Sequence, residues 1–275
     1  MSGVSSMSTR LAGWYDLKEK IVVLTGAAGG LGRHYSRVLS EVGAHVVLVD
    51  LDGGECERLA AELAERYDTD PLGLGIDITQ KSSVFDGADK IAERYGRIDV
   101  LINNAAAQQL AVFDGDLSKF EEFPLEVWQA NLDVNLTGAF LCCQAVGRRM
   151  VEQGGGVILN IGSIYGVVGC DQRIYGESGM NSSIAYATTK SGLINFTRYL
   201  ASWWQGQNIR VNCLSPGGVF NDQPQEFLDN YEYRTMLKRM ATPDDLAAAL
   251  LYLVSDASGW VTGTNLIVDG GWSAW

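Results

Sequence analysis

Two histidines in 275 residues leave little material for histidine chemistry. His34 and His45 fall in the first predicted helix and the second predicted strand, so neither a His-ligated metal nor a nucleophile–His pair has an obvious set of partners. Cysteine is also sparse. Cys56, Cys142, Cys143, Cys170 and Cys213 are odd in number and lack C-x-x-C or metal-ligand spacing, which reads as reduced, mostly buried thiols and no metal. No apolar run approaches the roughly 18 residues that a membrane-spanning helix needs. Basic residues are outnumbered, 21 Lys and Arg against 33 Asp and Glu, and the net charge of −12 argues against nucleic-acid or anionic-membrane partners. The opening segment lacks a charged stretch followed by an apolar one, so residues 1–15 read as a flexible arm and not a signal peptide, with a cytoplasmic location expected. Repeats, low-complexity tracts and linkers are missing too. With 47% apolar residues, residues 16–275 are expected to form one domain.

What the chain does have is concentrated first in residues 20–50, KIVVLTGAAGGLGRHYSRVLSEVGAHVVLVD. Residues 21–24 are a β-branched apolar run that suits a buried strand. The glycines follow as T-G-x-x-x-G-x-G at Gly26, Gly30 and Gly32. A pyrophosphate must come close to backbone N–H groups and lie against a helix N-terminus, and Cβ atoms at that turn would hold it away. The helix behind the turn carries Leu31, Tyr35, Val38, Leu39 and Val42 at three- and four-residue spacing and stops at Gly43. A second apolar strand, residues 44–49, runs into Asp50. An acid there is placed to accept hydrogen bonds from ribose hydroxyls and to repel a 2′-phosphate, which points to NAD. No Lys or Arg lies between Gly26 and Gly32 to neutralise such a phosphate.

The alternation continues with a helix at 55–67, a strand at 72–76, a helix at 82–95 and a strand at 98–103. Right-handed crossovers then require a parallel sheet with helices on both faces, an α/β doubly wound architecture. Asp77, ending the third strand, is placed either to hold an adenine edge or to cap a helix. A long helix is predicted over 125–151 with Trp128, Leu132, Asn135, Ala139, Cys142 and Val146 along one stripe. Asn135 in that stripe is either a satisfied core amide or a site residue. A fifth strand, 157–161, ends at Gly162-Ser163, and Tyr186 and Lys190 share one face of a helix over 184–204. A phenol with a pKa of about 10 needs help to act as an acid–base at neutral pH, and an adjacent ammonium supplies it.

Taken together, Thr25-Gly26-x-x-x-Gly30-x-Gly32, Asn103-Asn104-Ala105, Asn135 in N-L-T-G-A-F, Ser163, Tyr186-x-x-x-Lys190, Pro216-Gly217 and Val268-Asp269-Gly270-Gly271 resemble the short-chain dehydrogenase/reductase family, over residues 17–271. The resemblance implies a single-domain, seven-stranded Rossmann-type sheet, a nicotinamide cofactor, and a homotetramer or dimer. It implies that Tyr186 exchanges the proton with the substrate oxygen, that Ser163 orients that oxygen, and that Lys190 holds the nicotinamide ribose and lowers the Tyr186 pKa. Asn135 would hold the water that links Lys190 to solvent. Cofactor contacts would come from Gly26, Gly30, Leu31, Gly32, Asp50, Asp77, Ile78, Asn104, Ala105, Tyr186, Lys190, Pro216, Gly217 and Val219. The implied reaction interconverts a secondary alcohol and a ketone or lactone on a small-molecule substrate. Overall similarity to gluconate- and sugar-oxidising members suggests a sugar-like or sugar-acid compound, with steroid, acyl or cyclic alcohols as alternatives. A non-catalytic NAD-binding regulator is the other class of reading.

Three departures from the family pattern stand out. Ala106 replaces the usual glycine of N-N-A-G, and the threonine expected after P-G-x-V is displaced, the chain reading Pro216-Gly217-Gly218-Val219-Phe220-Asn221. Third, Ser163 and Tyr186 are 23 positions apart, and the extra residues are G-C-D-Q-R-I-Y-G-E-S-G-M. With a catalytic residue near each end, the insertion is expected to shape substrate choice. Its single cation, Arg173, would grip an anionic substrate group or else pair with Asp171 or Glu177 on the surface. Residues 221–240, with Pro224, Phe227, Tyr231 and Tyr233, fall where the family keeps a mobile lid. The aromatic end Gly271-Trp272-Ser273-Ala274-Trp275 is expected to be buried in a subunit interface or a neighbour's site.

Overall fold

Every residue of the first strand, β1 (Ile21–Thr25), is buried, which is what an uninterrupted Ile-Val-Val-Leu run demands when helices cover both faces of a sheet. The computed structural model describes residues 9–107, 119–176 and 181–275. In chain order it continues through α2 (Gly30–Glu41), β2 (His45–Asp50), α3 (Gly53–Arg66), β3 (Leu72–Gly75), α4 (Lys81–Tyr95) and β4 (Val100–Asn103). Then come α5 (Leu125–Leu132), α6 (Ala139–Gln153), β5 (Gly156–Ile161), α7 (Ile184–Trp203), β6 (Ile209–Pro216), α8 (Gln225–Arg234), α9 (Pro243–Val254) and β7 (Asn265–Val268). A short helix, α1 (Thr9–Trp14), precedes them inside the segment read as a flexible arm. Residues 1–8 of that arm lie outside the described residues.

The seven strands pair in parallel in the order β3-β2-β1-β4-β5-β6-β7. Successive side chains along each strand face opposite sides. Val22, Leu24, Val46 and Leu48 therefore pack with Leu39, Leu59, Leu63, Leu246 and Leu250, from α2, α3 and α9. Val23, Val47, Val49 and Leu101 pack with Val84, Ile91, Leu141, Val146 and Leu200, from α4, α6 and α7. These two cores are the doubly wound arrangement that the strand-helix alternation predicts.

The chain winds outward from β1 through β2 to β3, then crosses back to β4 on the other side of β1. The connections leaving β1 and β4 diverge, and the crevice at the carboxyl ends of these two strands is where such folds take ligands.

One element differs from its prediction in a way that matters. The long helix expected over 125–151 is broken by a wider turn of π-helix, Asp133–Gly138, between α5 and α6. Asn135 sits inside it, 1% exposed. The amide makes three tertiary hydrogen bonds, described below, and an insertion in the helical ladder is how a helix re-aims one side chain without ending.

Candidate active site

The glycine turn is built by sterics. Gly26 has φ +67°, and a Cβ there would come 2.7 Å from the Ala105 backbone. At Gly32 a Cβ would overlap the Gly26 carbonyl, whereas at Gly30 it would meet nothing within 4 Å. Gly26 and Gly32 are thus needed by the chain itself, and Gly30 opens on space beside the helix. Helix α2 begins after Gly29 with no side-chain cap, so its first N–H groups point outward at the positive end of the helix dipole. That open, uncapped cradle fits a dinucleotide pyrophosphate.

Two further contacts frame it. Asp50 Oδ2 accepts from the Ala28 N–H at 3.0 Å, tying the end of β2 to the glycine turn. Asn104 donates from Nδ2 to the carbonyls of Thr25 at 3.0 Å and Gly26 at 3.2 Å, while the Thr25 hydroxyl accepts from the Asn104 and Ala105 N–H groups. The N-N-A stretch is therefore a clip between β4 and the glycine turn. Ala106, the unusual residue of that stretch, is exposed. Asp77 makes a local turn: its Oδ1 accepts from the N–H and hydroxyl of Thr79, at 2.9 and 2.7 Å. The neighbouring Ile78 and Leu31 pack into the two cores.

A cation stands just past the glycines, outside residues 26–32. Arg33 donates from Nε to the Ala28 carbonyl at 2.8 Å and is ion-paired with Glu55, at the start of α3. Hydrogen bonds from Arg58 and then Arg33 hold the Glu55 carboxyl down to about 2, so it stays ionised and the pairing persists at physiological pH.

The proton-transfer candidates converge from β5 and α7. Ser163, 7% exposed, starts a 3-10 turn, Ile164–Gly166, and its Oγ accepts from the Tyr165 N–H at 3.2 Å. Gly166 lets this turn sit directly on α7, since a Cβ there would lie 2.7 Å from the Lys190 backbone. Ser191 Oγ also donates to the Gly166 carbonyl, at 3.1 Å. The turn that carries Ser163 is thereby seated against the helix that carries Tyr186 and Lys190.

Tyr186 lies in the first turn of α7, where the helix dipole favours negative charge. The Lys190 ammonium lies 5.4 Å from the centre of the Tyr186 ring and donates to the Ile161 carbonyl at 2.6 Å. Burial lowers the Lys190 pKa to about 8. From the π turn, Asn135 accepts from the Ala107 N–H at 2.7 Å and donates to the Ala107 carbonyl at 2.9 Å and to Thr189 Oγ1 at 3.1 Å. The structure thus joins Asn135 to α7 one residue from Lys190.

Pro216 ends β6, and the Gly217 N–H is paired with the Val268 carbonyl at 2.8 Å. Val219 bridges Ala241. The Gly218 N–H donates to the hydroxyl of Tyr231 on α8, a partner with no motif to announce it. The double glycine is the available signal, because a Cβ at Gly218 would lie 2.7 Å from the Tyr231 ring.

Of the insertion, residues up to 176 are described, and Glu177 lies outside the described residues. A 3-10 turn, Gln172–Tyr175, packs on α8. Arg173 is 85% exposed at its side chain and closes on Asp171, with Nε to Oδ1 at 2.7 Å and Nη2 to Oδ2 at 2.8 Å. Of the two roles open to it from sequence, the geometry is that of the surface pair. Of the C-terminal aromatics, Trp272 is placed differently from expectation: it is 1% exposed within its own chain and stacks on Tyr231 of α8 at 4.5 Å, because positive φ at Gly270 and Gly271 turns the tail back onto that helix. Trp275 remains 62% exposed.

A polar recess at the opposite, amino ends of the strands is lined by Lys20, Arg97, Asp99 and Arg210, but these groups serve one another. Asp99 is bonded to Arg97 and the Ile21 N–H, and Arg210 donates to the carbonyls of Leu253, Ser255 and Val261. Among the described residues no cluster of three or more His, Cys, Asp or Glu could hold a metal, and no helix is long and apolar enough to cross a membrane.

Residues 26–273 match the family model described as enoyl-(acyl carrier protein) reductase. The chain is 35% identical over 264 residues to D-threitol dehydrogenase of Mycolicibacterium smegmatis, covering 94% of this chain and 95% of that one. It is 33% identical over 264 residues to NAD-dependent glycerol dehydrogenase of Listeria innocua, covering 94% and 96%. The solved structure of a gluconate 5-dehydrogenase from Burkholderia cenocepacia, in complex with NADP and tartrate, superposes with a TM-score of 0.86 at 28% identity, covering 96% and 99%.

Proposed function

The chain belongs to the short-chain dehydrogenase/reductase family and is an oxidoreductase of CH–OH donors, and from that premise we propose that it is an NAD-dependent enzyme interconverting a secondary alcohol and a ketone or lactone on a small polyhydroxylated substrate. The observation that carries the proposal is the seating of the Ser163 turn on the Tyr186–Lys190 face of α7.

The pyrophosphate would lie on the first turn of α2 beside Gly30, and the ribose hydroxyls nearest the adenine would donate to Asp50. The nicotinamide, when bound, accepts the substrate's hydride at C4 or returns it. In oxidation Tyr186 takes the hydroxyl proton, helped by the helix dipole and by the nearby ammonium, while Ser163 donates to the same oxygen and aligns it. Lys190 would hold the nicotinamide ribose. Asn135, bonded on both sides of Ala107 and to Thr189, would hold the water through which the proton leaves.

Two features support NAD over NADP. Asp50 would face a 2′-phosphate with like charge, and Arg33, the nearby cation, is taken up by Glu55. The glycerol dehydrogenase relative is NAD-dependent, whereas the gluconate dehydrogenase was solved with NADP, so residues and not ancestry carry this choice. The threitol, glycerol and gluconate relatives support a polyol or sugar acid as substrate. We also propose a homotetramer or dimer, supported by the exposed Phe140, Ile184, Tyr199 and Trp203 on α6 and α7.

The test is the appearance of reduced nicotinamide across a panel of tetritols, glycerol, aldonates and sugars, with NAD and NADP supplied separately. Turnover of a polyol with NAD at much higher kcat/KM than with NADP is expected. Turnover of steroids or acyl thioesters alone would overturn the substrate class, and equal dissociation constants for the two dinucleotides would overturn the cofactor assignment.

A further inference from the structure

Three sequence features are unaccounted for by the proton relay: the insertion after Ser163, the double glycine after Pro216, and the aromatic C-terminus. They meet at one side chain. Tyr231, 3% exposed on α8, stacks on Trp272 at 4.5 Å and on Phe227 at 5.9 Å, and Phe227 in turn contacts Tyr175 of the insertion at 5.4 Å. Polar contacts run along the same seam. Asn230 donates to the Ile174 carbonyl at 3.3 Å, and Asp171, closed on Arg173, lies 3.7 Å from Arg234. Gly176, the last described residue of the insertion before position 181, is so close to Glu226 that a Cβ could not fit without moving that side chain. On the other side, the Leu237 N–H donates to the Gly270 carbonyl at 3.0 Å, fastening the segment after α8 to the tail. The insertion, α8 and the tail therefore share a small apolar cluster of their own, separate from the two sheet cores.

From this cluster a single polar group reaches back to the loop after β6. The Tyr231 hydroxyl accepts from the Gly218 N–H, and a Cβ at Gly218 would come 2.7 Å from its ring, while one at Gly217 would meet the Asp269 backbone at 2.8 Å and the Tyr231 hydroxyl at 3.1 Å. We propose that Tyr231 is a positioning residue, through which the insertion, α8 and the C-terminal tail set the backbone of the Pro216–Val219 loop. The proposal rests on the reading that this loop borders the bound nicotinamide. The physical reason is that a partly buried N–H left without its partner is costly, so the hydroxyl fixes the Gly218 peptide, which the loop's other bonds, Gly217 N–H to the Val268 carbonyl and Ala241 N–H to the Gly218 carbonyl, leave unpaired at its own N–H. Whatever shifts the insertion at the substrate mouth then shifts α8 and, through one hydrogen bond, the cofactor loop.

Tyr231→Phe keeps the ring and its stack on Trp272 and deletes only the acceptor. In the full-length protein without cofactor, amide hydrogen exchange across residues 217–219 should quicken about tenfold or more, with exchange in β1 and α7 unchanged. The NAD dissociation constant should rise about tenfold, and KM for NAD should rise more than kcat falls, while the thermal midpoint moves by no more than a few degrees. Trp272→Phe, which keeps both the stack and the hydroxyl, serves as the second variant and should leave exchange at 217–219 near wild type. Wild-type exchange in Tyr231→Phe overturns the proposal, as does equal quickening in Trp272→Phe, which would make the effect one of packing alone. If the wild type binds neither NAD nor NADP, the nicotinamide reading fails by itself, and the exchange measurement still decides whether Tyr231 holds the loop.

Discussion

Lys190 is a full-length cation with 2% exposure, and its protonation couples the site to stability. Burial brings its pKa from 10.5 to about 8, so between these values the unfolded chain binds the proton and the folded chain does not. Unfolding free energy contributed by this residue therefore rises as pH climbs from 8 to 10.5, and its full cost, up to about 3 kcal/mol, is present below pH 8. Lys190→Met should accordingly be the more heat-stable protein at pH 7, and that advantage should shrink towards pH 10 in paired melting curves. The same variant should lose turnover. Tyr186→Phe should retain the fold and cofactor binding while kcat drops on the order of 10², the scale of one positioned proton transfer. Arg173 tests the opposite outcome. With its guanidinium closed on Asp171 and 85% exposed, Arg173→Ala should leave kcat/KM within about twofold. A fall to a tenth or less, seen in steady-state kinetics on the true substrate, would assign the side chain to the substrate after all.

At the scale of the element, two glycines of one motif separate chain sterics from ligand sterics. Gly32→Ala forces a methyl into the Gly26 carbonyl and should cost about 1–3 kcal/mol in a denaturant titration. Gly30→Ala meets no atom of the chain within 4 Å and removes a glycine from a helix start, so stability should hold or rise by up to about 1 kcal/mol. The dinucleotide should nevertheless bind at least about tenfold more weakly to Gly30→Ala, because the new methyl stands where the pyrophosphate would lie. Unaltered affinity would move the phosphates elsewhere. The π turn at Asp133–Gly138 makes the complementary point about an element. A continuous helix satisfies its backbone best, yet here the ladder widens and Asn135 gains bonds to Ala107 and Thr189.

For the whole molecule, the exposed aromatics of α6 and α7 bear on assembly. Tyr199 and Trp203 stack on each other at 6.0 Å on the outer face of α7, 59% and 67% exposed, and Phe140 of α6, 45% exposed, lies 6.3 Å from Phe196 of α7. A face of that kind left in water favours association. Tyr199→Asp combined with Trp203→Asp should shift the species measured by light scattering from tetramer or dimer towards monomer. An unchanged mass would place the subunit contact on another face. Trp272 is satisfied inside its own chain and does not supply this contact.

Local physics made much of this protein legible from sequence. Gly26 and Gly32 are glycines because backbone atoms lie where their side chains would be, Asp50 ends a strand whose register it shares with the glycine turn, and Tyr186 and Lys190 meet because four residues make about one helical turn. The Gly32 and Tyr186–Lys190 relations depend on neighbours in the chain, and the Gly26 and Asp50 ones on the pairing of adjacent strands that the apolar runs already announce. The tertiary structure alone decided the rest. That Arg33 is spent on Glu55, that Asn135 sits in a widened turn bonded to Ala107 and Thr189, and that Trp272 folds back on Tyr231 beside Gly218 all depend on pairings across loops of unequal length. No residue spacing encodes such distances. They follow from where the sheet delivers each loop, and from which polar group is nearest once it has arrived.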